Sequence, residues 1–148
     1  WGVNMRLQPL QAVVAQLGLK KLKKTIEKRN KNALILDNGL RKLQEFVNTP
    51  ERIHNNIETF SLYMATFFKR DELKTFLINN KIEVKIHYPI PLHLQKAALI
   101  NCKFNPSNLK NVESQSETLL TLPVHQFLEE KHMKYIISKI FEFYGKPY

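Results

Sequence analysis

Two imidazoles, a phenol and an amide sit close together in His87-Tyr88-Pro89-Ile90-Pro91-Leu92-His93-Leu94-Gln95. These side chains donate and accept hydrogen bonds, and held at one loop they can meet a polar ligand. Pro89 and Pro91 fix their own φ angles and push Tyr88 and Ile90 out of the α region, so the loop is expected to be extended and stiff. The plainer account is a proline-rich connection carrying ordinary surface histidines, and spacing alone leaves both open.

Other sets that carry chemistry are missing. The chain has no Gly-rich phosphate loop, no HExxH and no CxxC, and its one thiol is Cys102. Lys103 beside it favours a lower thiol pKa, although a lone thiol next to a lysine is ordinarily incidental. His54, His125 and His132 are scattered and read as loop or surface residues. Glu129 and Glu130 fit a helix start, where the dipole favours carboxylates, better than a catalytic pair.

The loop needs elements to hold it. Residues 82–86, Ile-Glu-Val-Lys-Ile, alternate apolar and polar and predict a strand leading into it. Before that, residues 59–66 predict a buried strand and 71–80 a short helix with Leu73, Phe76 and Leu77 inward. After it come a short helical stretch at 94–100, a turn at Asn105-Pro106-Ser107-Asn108, and a helix over 111–118. A strand at 119–122 is stopped by Pro123, and a closing helix over 129–144 carries Met133, Ile136, Ile137, Ile140, Phe141 and Tyr144 at helical spacing.

Upstream, Leu10, Val13, Val14 and Leu17 predict a helix over 8–18, with a bend at Gly18. A second helix to about Leu43 carries Leu22, Ile26, Arg29, Ala33, Leu36, Leu40 and Leu43 on one stripe. Residues 44–56 read as a polar connection. Two long helices followed by short strands and helices make an α+β arrangement: a small antiparallel sheet covered by helices.

At 148 residues and 43% hydrophobic, the chain supports one core and one domain. A net charge of +10 suggests an anionic partner: nucleic acid, an anionic membrane or a phosphorylated small molecule. The cluster Lys20, Lys21, Lys23, Lys24, Lys28 and Lys31 motivates a nucleic-acid or polyanion-binding module as an alternative. It lacks interleaved aromatics, however, and lysines opposite an apolar stripe are the usual make-up of a solvated helix face. One cysteine excludes an internal disulfide and suits a reducing, cytoplasmic setting. No apolar run approaches the roughly 18 residues that span a bilayer, and no signal peptide is visible. The chain begins at Trp1 and runs straight into patterned sequence, which predicts a processed or truncated piece of something longer.

Four blocks, in order, resemble the C-terminal part of the DegT/StrS-type sugar aminotransferases, pyridoxal 5'-phosphate (PLP) enzymes of aminotransferase fold type I. The first is Gly2-Val3-Asn4-Met5-Arg6 followed by Leu10-Gln11-Ala12, similar to the family's G-x-N-x-R and L-Q-A. The second is Arg70-Asp71-Glu72-Leu73 followed by Leu77, and the third is the loop at 87–95. The fourth is Glu113, then Leu120-Thr121-Leu122-Pro123-Val124-His125, similar to L-S-L-P-x-H. Gln126, where the family has proline, and Val13, where a second alanine is common, depart from the pattern.

The resemblance implies a C-terminal aminotransferase domain over residues 1–148: residues 1–43 as long helices leading in, and 57–148 as the small sheet-and-helix unit. The Schiff-base lysine and the aspartate on the pyridine nitrogen would lie in a larger N-terminal domain absent from this chain, which alone would be inactive. Asn4 would reach the PLP phosphate of the neighbouring subunit in a homodimer. Arg6, by its planar fork, would suit the carboxylate of the amino donor, glutamate or glutamine. His87, Tyr88 and His93 would line the pocket for a keto-sugar nucleotide. Such enzymes serve polysaccharide biosynthesis; nucleic acid and membrane are not expected partners. A non-catalytic regulatory relative is a further alternative.

Overall fold

The computed structural model describes residues 7–53, 56–101 and 109–148. Helix α1 runs unbroken over Pro9–Leu40, 32 residues, and ends in a 3-10 turn at Arg41–Leu43. Pro9 sits in its first turn, where its missing N–H costs nothing, and Gln11 Oε1 accepts from the Gln8 amide at 2.9 Å. The bend expected at Gly18 is not there. A glycine lowers helix propensity by about 1 kcal/mol relative to alanine, too little to stop a helix carried by good formers on both sides.

Three strands form one antiparallel sheet in the order β1-β2-β3: β1 Val47–Asn48, β2 Tyr63–Phe67 and β3 Leu119–Leu122. Tyr63 pairs with Leu122 and Ala65 with Leu120, while Val47 pairs with Phe67, so all six share one face. All six are buried. Strand β2 starts later than the expected residue 59 because Phe60 adopts a left-handed backbone, φ 43°, which breaks the extension. Strand β1 lies within the stretch read as a polar connection.

The expected strand at 82–86 reduces to one bridge, Lys85 with Thr121, on the free side of β3. Its alternation persists, with Ile82 and Val84 buried, but packing rather than a hydrogen-bonded ladder holds it.

Around the sheet lie α2 Arg70–Asn79, α3 Lys96–Asn101, α4 Lys110–Thr118 and α5 Glu130–Phe143. The core joins Ala33, Leu36 and Leu40 of α1 with Met133, Ile137 and Ile140 of α5 and the inner sheet face. The second half of α1 is therefore part of the sheet-and-helix unit rather than a lead-in to it. Helix α5 ends in a left-handed Gly145, φ 64°, with Lys146 N–H bonded to Phe141 O at 3.0 Å.

Polar ties fasten the connections. Asp37, buried in α1, accepts from Tyr63 Oη at 2.6 Å and from Arg52 Nε and Nη2 at 3.1 Å each. Burial and the Asp37 hydrogen bond push the Tyr63 phenol well above its ordinary pKa. Arg29, which the stripe placed among apolar residues, donates to Gln126 Oε1 at 3.0 Å and to Phe60 O at 3.3 Å. The glutamine that departs from the family pattern thus anchors the turn after β3 to α1.

Candidate functional site

The extended run into the loop lies alongside β3: Thr121 N–H bonds Lys85 O at 2.8 Å and Lys85 N–H bonds Thr121 O at 3.3 Å. Alternation then puts His87 on the side of Lys85 and Thr121, away from Ile82 and Val84. There His87 Nδ1 lies 2.9 Å from Thr121 Oγ1. The hydroxyl can accept from or donate to that nitrogen, so either tautomer keeps the bond and Nε2 takes the complementary role. Tyr88 is 65% exposed, its ring edge-on to the His87 imidazole with centroids 5.5 Å apart.

The rest of the loop turns inward. Pro91 is buried, and a 3-10 turn at Leu92–Leu94 closes with Leu94 N–H on Pro91 O at 2.9 Å. His93 Nε2 lies 2.9 Å from Glu113 Oε1 on α4, and its side chain is only 10% exposed. A carboxylate oxygen accepts, so the imidazole Nε2 donates.

Two clefts meet at His87. The larger, about 400 Å³, is lined by Lys81, Lys85, His87, Thr121, His125 and His132 among others, with Ile82 and Leu122 also in its lining. The smaller, about 230 Å³, lies between the loop (His87, Tyr88, Leu92) and α4 (Val112, Gln115, Ser116). His93 lines neither. The structure therefore brings His87 and Tyr88 to one edge and ties His93 to Glu113 on α4. Asn4, Arg6, His54 and Cys102 lie outside the described residues.

Arg70, conspicuous in sequence but without a role there, is buried and donates through Nη1 to Ser116 O at 3.1 Å and Leu119 O at 2.9 Å. Those carbonyls end α4 and begin β3, so one guanidinium fastens the helix to the sheet. Thr121 and Glu113 are contacts of the loop histidines to which sequence reasoning gave no role. Both fall in the fourth block, and that placement was the one available signal. His125 and His132 accept backbone hydrogen bonds at Nδ1, from Phe127 at 3.3 Å and Glu129 at 2.9 Å, as turn and helix-start residues do.

None of the described lysines is buried. Lys85, on the larger cleft, bonds Glu83 Oε1 at 2.8 Å, and that bond raises its pKa. An amine that must turn nucleophilic needs the reverse, a dry pocket or a neighbouring cation. Among the described residues no cluster of three or more His, Cys, Asp or Glu is placed to hold a metal ion, and no helix is long and apolar enough to cross a membrane.

The sequence model described as the DegT/DnrJ/EryC1/StrS aminotransferase family matches residues 1–141. The chain is 31% identical to a "Pleiotropic regulatory protein" of Geobacillus stearothermophilus, covering 97% of this chain and 38% of that protein. It is 28% identical to the UDP-2-acetamido-2-deoxy-3-oxo-D-glucuronate aminotransferase of Pseudomonas aeruginosa, covering 94% of this chain and 37% of that enzyme. Among solved structures, an aminotransferase from Brucella abortus superposes with a TM-score of 0.88 at 33% identity, over 98% of this chain and 38% of that one. DesV of S. venezuelae, solved in complex with a ketimine intermediate, superposes with a TM-score of 0.88 at 27% identity, over 99% of this chain and 39% of that one. The chain thus spans 37–38% of the curated relatives described here.

Proposed function

This chain belongs to the DegT/DnrJ/EryC1/StrS aminotransferase family, and from that premise we propose that it is the C-terminal part of a PLP-dependent sugar aminotransferase. Its part is to form one wall of the pocket for a keto-sugar nucleotide, with glutamate or glutamine as amino donor. The observation that carries this is His87: held by Thr121 at 2.9 Å, it stands where the two clefts meet.

The described residues do not fit the anchoring of the cofactor. None of their lysines is buried, and Lys85 is held in its charged form by Glu83. This supports a Schiff-base lysine supplied by the larger N-terminal domain. When bound, PLP supplies the electron sink for amino transfer. This chain's work is recognition: His87 Nε2 and the exposed Tyr88 phenol hydrogen-bond sugar hydroxyls or diphosphate oxygens. Asn4 and Arg6 serve the neighbouring active site of a homodimer, at the cofactor phosphate and the donor carboxylate. The setting is the cytoplasm.

The test uses the full polypeptide that carries this chain. His87→Ala is expected to raise KM for the keto-sugar nucleotide about 10- to 100-fold, the weight of one hydrogen bond to a charged group. The half-reaction with the amino donor alone should stay within about twofold, because that substrate does not need His87. An unchanged KM contradicts the reading.

A regulatory relative is the second reading, favoured by the name of the Geobacillus protein. It predicts no amino transfer by the unmodified polypeptide with any keto-sugar nucleotide tried.

A further inference from the structure

The two histidines of the loop carry the same expected role, yet their surroundings differ. His87 opens onto both clefts. His93 lines neither, is nearly covered, and donates to a carboxylate on a different helix. That carboxylate belongs to Glu113, two and three residues before the α4 residues Gln115 and Ser116 that face the loop across the smaller cleft.

The smaller cleft is therefore bounded by two elements held at a set spacing by named ties. On one side Thr121 fixes His87. Across the gap, Glu113 binds α4 to the loop through His93, and Arg70 binds the far end of α4 to β3. At about 230 Å³ the cleft falls below the 300–1,000 Å³ usual for a complete small-molecule pocket, so a sugar nucleotide seated there would extend beyond it. Its width depends on α4, and Glu113 is one of the two ties that place α4.

We propose that His93 and Glu113 are a positioning pair that sets α4 as the second wall of the sugar-nucleotide pocket, and that Gln115 on α4, rather than His93, meets the sugar. This rests on the reading above that the loop faces a keto-sugar nucleotide. A side chain that lines neither cleft and is bonded to a carboxylate has no lone pair or N–H left at Nε2 for a substrate. Gln115 offers two donors and an acceptor at the cleft, the inventory suited to a sugar hydroxyl.

The experiment is a double-mutant cycle in the full polypeptide, read as KM for the keto-sugar nucleotide, kcat, the rate of the donor half-reaction and the melting temperature. His93→Ala and Glu113→Ala should each raise that KM by a similar factor, about 10-fold, and the double variant by no more than either alone, the signature of residues acting as one unit. Glu113→Gln keeps an acceptor oxygen and should recover most of the loss, which also covers a Glu113→Ala protein that folds poorly. Gln115→Ala should raise KM with the melting temperature unchanged. The donor half-reaction should be untouched throughout.

A His93→Ala effect that far exceeds that of Glu113→Ala and adds to it would overturn the proposal, because His93 would then touch substrate itself. So would a silent Gln115→Ala. Failure of the underlying reading looks different: His87→Ala itself leaves the sugar-nucleotide KM unchanged.

Discussion

In the first half of α1, Leu10, Val13, Val14 and Leu17 are between 54% and 76% exposed; in its second half, Ala33, Leu36 and Leu40 are at most 1% exposed. Both halves show the same apolar spacing on one continuous helix. The glycines differ in the same sense. A Cβ at Gly18 would meet nothing within 4 Å, while one at Gly39 would sit 2.6 Å from Ile137 Cδ1. Periodicity announces that a helix face wants cover; it does not say what covers it. The second half is covered by α5 and the sheet. Nothing among the described residues covers the first half, which is the face a larger N-terminal domain would meet in the proposed enzyme.

Substitutions can break this comparison. The largest effect is expected from Leu36→Ala, which should cost about 2–5 kcal/mol in urea unfolding of the chain, through lost burial and a cavity. Gly39→Ala comes next, at about 1–3 kcal/mol, because the new methyl drives into Ile137 where α1 crosses α5. Gly18→Ala reverses the sign, stabilising by about 0.5–1 kcal/mol through helix propensity alone. Leu17→Ala should stay within about 0.5 kcal/mol. Equal losses for Leu17→Ala and Leu36→Ala would erase the contrast between the halves.

Where a segment's partner lies nearby in sequence or the pattern is long, the fold was legible. The stripe on α5 identified Met133, Ile136, Ile137, Ile140 and Phe141, all buried. Pro123 bounded β3 as its chemistry requires. Short or context-dependent features were not legible. Strand β1 has two residues, and β2 is clipped by the backbone of Phe60. Residues 82–86 alternate like a strand yet make a single bridge, because burial of Ile82 and Val84 satisfies the pattern without a ladder.

The site divides in the same way. Residue types and prolines pointed to the loop, where His87 lines both clefts and Tyr88 the smaller one. That His93 would turn toward Glu113 depends on the packing of α4, about which spacing within the loop carries no information. Thr121 escaped notice because a threonine in a short apolar strand ordinarily just fills the sheet, whereas here its hydroxyl orients an imidazole.

The most direct test of the recognition role is hydrogen–deuterium exchange on the full polypeptide, with and without a saturating keto-sugar nucleotide. Amides of residues 87–95 and of α4 should slow on addition, because the ligand closes the cleft between them. Binding that leaves both segments exchanging at their free rates would contradict the account.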